Sequence, residues 1–317
     1  MKGVFLDFDT VSAGDIDTAR LDTVLPDLIR YGVTPTDQVL ERIGDAGVVL
    51  TNKIALTREI IEQAADLQLI ILAATGYNNV DIDAARERGI GVCNIRSYCT
   101  ASVVEHVFAL ILALSRNLEG YQRLLAEGKW KGSPQFCLLD FPIVELDGKV
   151  LGIIGSGELG RAVARSGECF GMDVRVAQLP GRAASDGRVP LQQLLREVDV
   201  LSLHCPLTAQ TERLIDAEAL ALMKPTALII NTARGAIVDE AALADALRNG
   251  DLGGAGIDVL SEEPPVHGNP LLEPGIPNLI VTPHIAWASR AARQRAVDAM
   301  ADNIRAFLDG ERRNRVV

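Results

Sequence analysis

Val150-Leu151-Gly152-Ile153-Ile154-Gly155-Ser156-Gly157-Glu158-Leu159-Gly160 is the stretch that decides the fold. Val150–Ile154 is a short apolar run of the kind that forms a buried strand. Leu159–Phe170 follows with helical spacing. Between them, glycines stand at 155, 157 and 160. A strand that turns through G-x-G-x-x-G into a helix makes a pyrophosphate cradle. Gly155 permits the tight turn, Gly157 lets backbone approach the phosphates, and Gly160 lets helix and strand pack closely. The helix N-terminus adds free N–H groups and a positive partial charge. The bare motif is common by chance; the strand before it and the helix after it carry the inference. Gly155, Gly157, Glu158, Leu159 and Gly160 are therefore candidate dinucleotide-binding residues.

Downstream, apolar runs alternate with helical patterns. Val174–Ala177, Val200–Leu203, Leu228–Asn231, Ala255–Asp258 and Leu279–Thr282 continue the strand series, with helices such as Glu240–Arg248 between them. With Val150–Ile154 that makes six strands, the size of a complete dinucleotide-binding sheet. Upstream, Val4–Phe8, Val48–Leu50, Leu69–Ala73 and Val92–Ile95 read as buried parallel strands. Thr57–Ala65 and Asp81–Arg88 read as helices among them, the second closed by Gly89 in a C-cap position. The expected fold is α/β: two doubly wound parallel-sheet domains, one of them a Rossmann domain, with a cleft between. Residues 1–98 plus 287–317 are expected to form the substrate-binding domain, and 99–286 the nucleotide-binding domain. Ala101–Arg116 is apolar nearly all round, which suits a helix buried on several sides, as a bridge between domains or at a subunit interface. Ala288–Leu308 is helical and is expected to pack back on the first domain.

Composition narrows the function classes. Of 317 residues, 48% are hydrophobic and 23% charged, an ordinary globular balance. The formal net charge of −11, without a Lys/Arg cluster, argues against nucleic acid or an anionic membrane as partner. The five cysteines (Cys93, Cys99, Cys137, Cys169 and Cys205) form no C-x-x-C and no metal-ligand spacing, so reduced thiols in the cytoplasm and no metal are expected. The N-terminus lacks a signal-peptide pattern, and Val107–Leu114 is too short to span a bilayer.

The strand after the glycine loop should end on a carboxylate for the adenosine ribose. Gln178 stands there, 21 positions after Gly157. Gln can hydrogen-bond a ribose hydroxyl but does not repel a 2′-phosphate, and Arg182 follows. The sequence therefore admits NAD(H) and NADP(H) alike, with Arg182 as either a phosphate partner or an exposed loop charge.

Three segments follow later strand ends, where open α/β sheets place ligands: Asn231–Gly235, Asp258–Pro264 and Thr282-Pro283-His284. They offer a guanidinium (Arg234), a carboxylate (Glu263) and an imidazole (His284). Reduction of a 2-keto acid needs those types. Imidazole donates a proton near neutral pH. A carboxylate on its other nitrogen orients the ring and favours the protonated form. A planar guanidinium clamps the substrate carboxylate and polarises the carbonyl. Taken singly, each has a plainer reading: a surface ion pair for Arg234, a solvated acid for Glu263, a core histidine for His284. Their joint placement at strand ends favours chemistry.

Over essentially its whole length the chain resembles the D-isomer-specific 2-hydroxyacid dehydrogenases. The residues that carry the resemblance are Thr75–Asp81, Gly155–Gly160, His204–Thr208, Met223-Lys224-Pro225, Asn231–Gly235, Asp258–Pro264 and Thr282–His284. Asn78–Asp81, Asp140–Leu146 and Ile285-Ala286-Trp287 are most similar to the glycerate dehydrogenase (hydroxypyruvate reductase) branch. The resemblance implies that Arg234 binds substrate, Glu263 pairs with the histidine, and His284 is the acid/base. It implies that backbone N–H groups at Gly76 and Tyr77 hold the substrate carboxylate. Cys205, Pro206, Thr211, Thr232, Ala233 and Asp258, with Gln178, would line the coenzyme site. It further implies a cytoplasmic homodimer acting on a small 2-keto or 2-hydroxy acid. Tyr77 occupies a position that is often smaller, and Arg96 lies where a second active-site loop is expected; both bear on which keto acid fits, unless they face solvent.

The leading expectation is reduction of hydroxypyruvate to D-glycerate, with glyoxylate as a related substrate. A dehydrogenase for a longer ketoaldonate is the alternative within enzymes. A nicotinamide-sensing corepressor is the alternative outside them, and the acidic chain with its compact set of dehydrogenase motifs speaks against it.

Overall fold

A computed structural model describes residues 1–179 and 187–317; Arg182 lies outside the described residues. The chain forms two compact units, 1–99 with 287–317, and 100–286.

The first unit is built on a parallel sheet of β1 (Gly3–Phe5), β2 (Leu28–Arg30), β3 (Val48–Thr51), β4 (Leu69–Leu72) and β5 (Gly91–Cys93). The strand order is β2-β1-β3-β4-β5. The central strands are buried throughout, which is why they are continuous Val/Ile/Leu runs rather than alternating ones. The Ile82–Glu87 helix starts at Asp81, whose carboxylate accepts the Ala84 N–H at 2.8 Å. It ends just before Gly89, at φ +67°. The long Arg290–Leu308 helix belongs to this unit. Ala292, Ala296, Val297, Met300 and Ile304 recur at helical spacing and pack with Phe5, Leu69 and Ile71. Asn303 Nδ2 donates to the Asn94 carbonyl at 2.9 Å, and Arg293 grips Asp15 through two 2.8 Å bonds.

Two differences from the sequence reading have simple causes. The first strand stops at Phe5 rather than Phe8. The buried Asp7 carboxylate accepts the N–H groups of Asn52, at 2.9 Å, and Lys53, at 2.7 Å, and the chain turns into a short 3-10 segment over Phe8–Thr10. Leu28–Arg30 forms an edge strand that the apolar pattern does not reveal, because three half-exposed residues give no period.

The second unit carries β6 (Val150–Ile154), β7 (Asp173–Gln178), β8 (Arg188–Pro190), β9 (Val200–Leu203), β10 (Leu228–Asn231), β11 (Gly254–Ile257) and β12 (Leu279–Val281). All are parallel, in the order β12-β11-β10-β9-β6-β7-β8. This is a dinucleotide-binding sheet with seven strands rather than the six expected. The addition is β8, again a three-residue edge strand. The order reverses between β6 and β9, the switch point at which such sheets bind ligands. The Thr100–Ser115 helix lies against β10 and β11 inside this unit, burying Val103, Val107, Phe108, Leu110 and Ile111. Among the described residues no single helix is long and apolar enough to cross a membrane. Nor does any group of three or more His, Cys, Asp or Glu gather as a metal site among them.

Candidate active site

β10, β11 and β12 lie side by side, and each ends in a polar segment. After β10, the buried Asn231 shapes the turn. Its Oδ1 accepts the Ala233 N–H at 3.0 Å and its Nδ2 donates to the Arg234 carbonyl at 2.9 Å. Arg234 is exposed, with Nη1 donating to the Ala233 carbonyl at 2.6 Å and the rest of its guanidinium open. Gly235 follows, where a Cβ would lie 1.9 Å from the Leu260 carbonyl carbon. Only glycine lets the Arg234 turn press against the backbone that leads to Glu263.

Glu263 and His284 meet. Glu263 Oε2 lies 2.6 Å from His284 Nδ1, and Oε1 accepts the Leu260 N–H at 2.9 Å. An ionised carboxylate only accepts, so Nδ1 carries the ring proton in this contact and Nε2 is left for chemistry. Neither side chain is sealed off: 24% of His284 and 34% of Glu263 remain accessible. The His284 backbone sits in the left-handed region, at φ +56°.

Asp258 braces that backbone. Its carbonyl accepts the His284 N–H at 2.7 Å, and its carboxylate accepts the N–H groups of Ile285 and Ala286, both at 2.9 Å, and the Thr282 hydroxyl at 2.6 Å. Asp258, expected in the coenzyme lining, is buried, and its carboxylate faces the His284 segment. His106 completes the network, with Nε2 3.0 Å from Thr282 Oγ1 and 3.5 Å from Asp258 Oδ1. Sequence reasoning passed over His106. The available signal was a single imidazole within an otherwise apolar helical run.

The glycine loop lies at the switch point. Gly155 has φ +98°, and a Cβ on it would stand 2.5 Å from the Cys205 backbone nitrogen, so the β6 turn sits directly on the turn after β9. A Cβ on Gly160 would fall 1.9 Å from the Gly155 carbonyl oxygen. Gly157 has open space where its side chain would be, and it opens the Glu158–Cys169 helix without a capping side chain. The helix N-terminus is thus exposed to an anion. Glu158 accepts a hydrogen bond from Thr100, and Leu159 is half-buried. Thr211 is used locally: its hydroxyl donates to the Pro206 carbonyl at 2.6 Å and accepts the Thr208 N–H at 2.8 Å. Thr232 Oγ1 is buried without a partner among the described residues, a group that a bound ligand would satisfy. Gln178 ends β7, with Nε2 3.4 Å from the Leu179 carbonyl. His204, beside Cys205, has its ring nitrogen 2.8 Å from Ser202 Oγ, and burial pushes its pKa down to about 4. These features fit a dinucleotide: a backbone cradle for the pyrophosphate, and an orphaned hydroxyl beyond β10.

In the first unit, Gly76 and Tyr77 lie on the loop after β4. Thr75 fastens that loop through its hydroxyl to the Ile95 carbonyl at 2.9 Å, and its own carbonyl accepts from Asn94 Nδ2 at 2.7 Å. Among the described residues the N–H groups of Gly76 and Tyr77 donate to no protein acceptor, and the Tyr77 side chain is exposed.

Residues 108–286 match the sequence model of the D-isomer specific 2-hydroxyacid dehydrogenase, NAD binding domain. The chain belongs to that family. A glycerate dehydrogenase of Methylorubrum extorquens is 43% identical, over 99% of this chain and 98% of its own. A hydroxypyruvate reductase of Blautia hydrogenotrophica is 39% identical, over 98% of each. Among solved structures, an acyclic imino acid reductase in complex with NADPH and D-Arg superposes with a TM-score of 0.86 at 28% identity, covering both chains fully. The D-lactate dehydrogenase of Aquifex aeolicus, complexed with NAD and lactic acid, gives 0.82 at 29% identity, over 98% of this chain and 96% of that one. As a 2-hydroxyacid dehydrogenase the protein is an oxidoreductase whose Rossmann unit takes NAD(H) or NADP(H). The motifs that follow β6, β10, β11 and β12 belong to this matched segment.

Proposed function

We propose that the protein reduces hydroxypyruvate to D-glycerate, with glyoxylate as a second substrate. The observation that carries this reading is the 2.6 Å contact between Glu263 and His284 at the end of β12. The identities to a glycerate dehydrogenase and a hydroxypyruvate reductase support the choice of substrate.

When bound, the nicotinamide supplies the hydride that reduces C2. The protein handles the proton and the charge. His284, its Nδ1–H held by Glu263, gives the Nε2 proton to the C2 oxygen as that oxygen becomes a hydroxyl. Glu263 keeps the ring in one orientation and stabilises the cation before the proton leaves. Arg234 binds the substrate carboxylate through its open guanidinium face and draws charge toward the carbonyl oxygen. The N–H groups of Gly76 and Tyr77, without a protein acceptor among the described residues, are assigned to substrate binding. Gly155, Gly157 and Gly160 would hold the pyrophosphate, with Glu158 and Leu159 opening the helix behind it. Thr232, Ala233, Cys205 and Pro206 would line the coenzyme site, with Thr211 bracing the Pro206 turn, and Gln178 would meet the adenosine end.

The active form is proposed to be a cytoplasmic homodimer. Leu118, Leu125, Trp130, Phe136 and Leu139 leave large apolar surface on one stretch of chain, with Phe136 89% accessible, and a second copy would cover it. Light scattering on the purified protein checks this; a monomer at micromolar concentration would contradict it.

A panel of keto acids tests the substrate assignment. The highest kcat/KM is expected for hydroxypyruvate, then glyoxylate. Preference for a longer ketoaldonate would overturn the assignment while leaving the family membership intact.

A further inference from the structure

We infer that Arg188 is a receptor for a phosphate on the 2′-oxygen of the coenzyme's adenosine ribose, and that the protein therefore prefers NADP(H) to NAD(H). The inference rests on the reading that the Gly155–Gly160 loop holds a dinucleotide. In such sheets the adenosine ribose lies at the end of the strand that follows the loop helix, here β7. Arg188 lies on β8, paired with β7 in the register Val176↔Arg188. Its guanidinium spans the entrance to that place. Nη2 donates to Ser156 Oγ in the glycine loop at 2.6 Å, and Nη1 points to the Ala177 carbonyl at 3.4 Å, one residue before the strand end.

Charge makes the case. A carboxylate at the end of β7 would accept the ribose hydroxyls and repel a phosphate; Gln178 is neutral. Arg175, on the neighbouring strand, is neutralised by Asp173 and Glu197. Arg188 forms no ion pair among the described residues, and its two partners are uncharged oxygens. On a chain of net charge −11, that leaves a cation held in place by the loop and the strand without an anion among the described residues. A phosphate is the ligand its planar donor set suits. The Ser156 hydroxyl, while accepting from Arg188, keeps its own proton to donate to the same phosphate.

Calorimetric titration with NADP+ and with NAD+ tests this apart from turnover. The wild-type protein is expected to bind NADP+ at least about ten times more tightly than NAD+. Arg188→Gln removes a charged contact, so NADP+ affinity should fall about ten- to a hundredfold while NAD+ affinity stays within about threefold. Arg188→Lys should keep part of the difference. Gln178→Glu, which leaves Arg188 untouched, should also lower NADP+ affinity selectively. Equal affinities in the wild type would overturn the inference. So would an Arg188→Gln variant that weakens both nucleotides alike, which would make Arg188 a brace for the loop, or a Gln178→Glu variant with an unchanged ratio. Failure of the folded protein to bind either nucleotide would overturn the loop reading itself, and the inference with it.

Discussion

Beyond β10, β11 and β12 the polar groups are largely spent on one another: Asn231 on its own turn, Asp258 on three consecutive residues, Glu263 on His284 and on Leu260. Beyond β6 and β7 the arrangement is the reverse. The loop offers glycines, an uncapped helix N-terminus and a guanidinium without an anion among the described residues. On the proposed reading the two ends of one sheet serve different tasks. Proton transfer needs a side chain held in one orientation, and the hydrogen bonds around His284 provide that before substrate arrives. Binding a large anion needs vacant donors, and a backbone cradle supplies them with little side-chain ordering.

Substitutions should separate the two ends. The largest effect belongs to His284→Gln, which should lower kcat roughly 10²- to 10⁴-fold by removing the proton donor, with nucleotide affinity unchanged by calorimetry. Arg234→Ala should lower kcat/KM by about one to two decades, from the loss of roughly 1.5–3 kcal/mol of charged contact to substrate. A variant with full kcat/KM would remove Arg234 from the substrate site. Gly160→Ala should act on the other end alone. Its methyl would strike the Gly155 carbonyl, so KM for the coenzyme should rise about tenfold or more while kcat at saturation holds. A matched fall in kcat would mean that the ends are coupled.

The smallest effect concerns His204, between the two ends. Its folded pKa of about 4 lies below the ordinary 6.5, so the unfolded chain binds the proton more readily. Stability should be complete above about pH 6.5, decline as pH falls toward 4, and level off below that. The loss should be about 1–2 kcal/mol, the difference in pKa discounted for the part of the residue that meets water. Urea midpoints at a series of pH values would show it, and His204→Gln should flatten this part of the profile. An identical slope in the variant would assign the loss to other groups.

The contrast also explains what could be read without coordinates. The glycine loop was legible because its function depends on spacing within one strand–turn–helix. Arg234, Glu263 and His284 were legible as candidates, being types placed after strand ends, and the structure brings the last two into contact. The Asp258–Thr282–His106 network was not, since it joins a helix to positions just past the ends of β11 and β12 that only folding brings within reach. Arg188 escaped for the same reason: its meaning comes from the β7–β8 register and from Ser156, 32 positions earlier. Both missed strands, Leu28–Arg30 and Arg188–Pro190, are three-residue edges, too short and too exposed to carry a period.

The most direct measurement is oxidation of NADPH and of NADH in the presence of hydroxypyruvate, with chiral analysis of the product. Rapid turnover that yields D-glycerate is the predicted result. No turnover with either coenzyme, or formation of the L isomer, would contradict the proposed reaction.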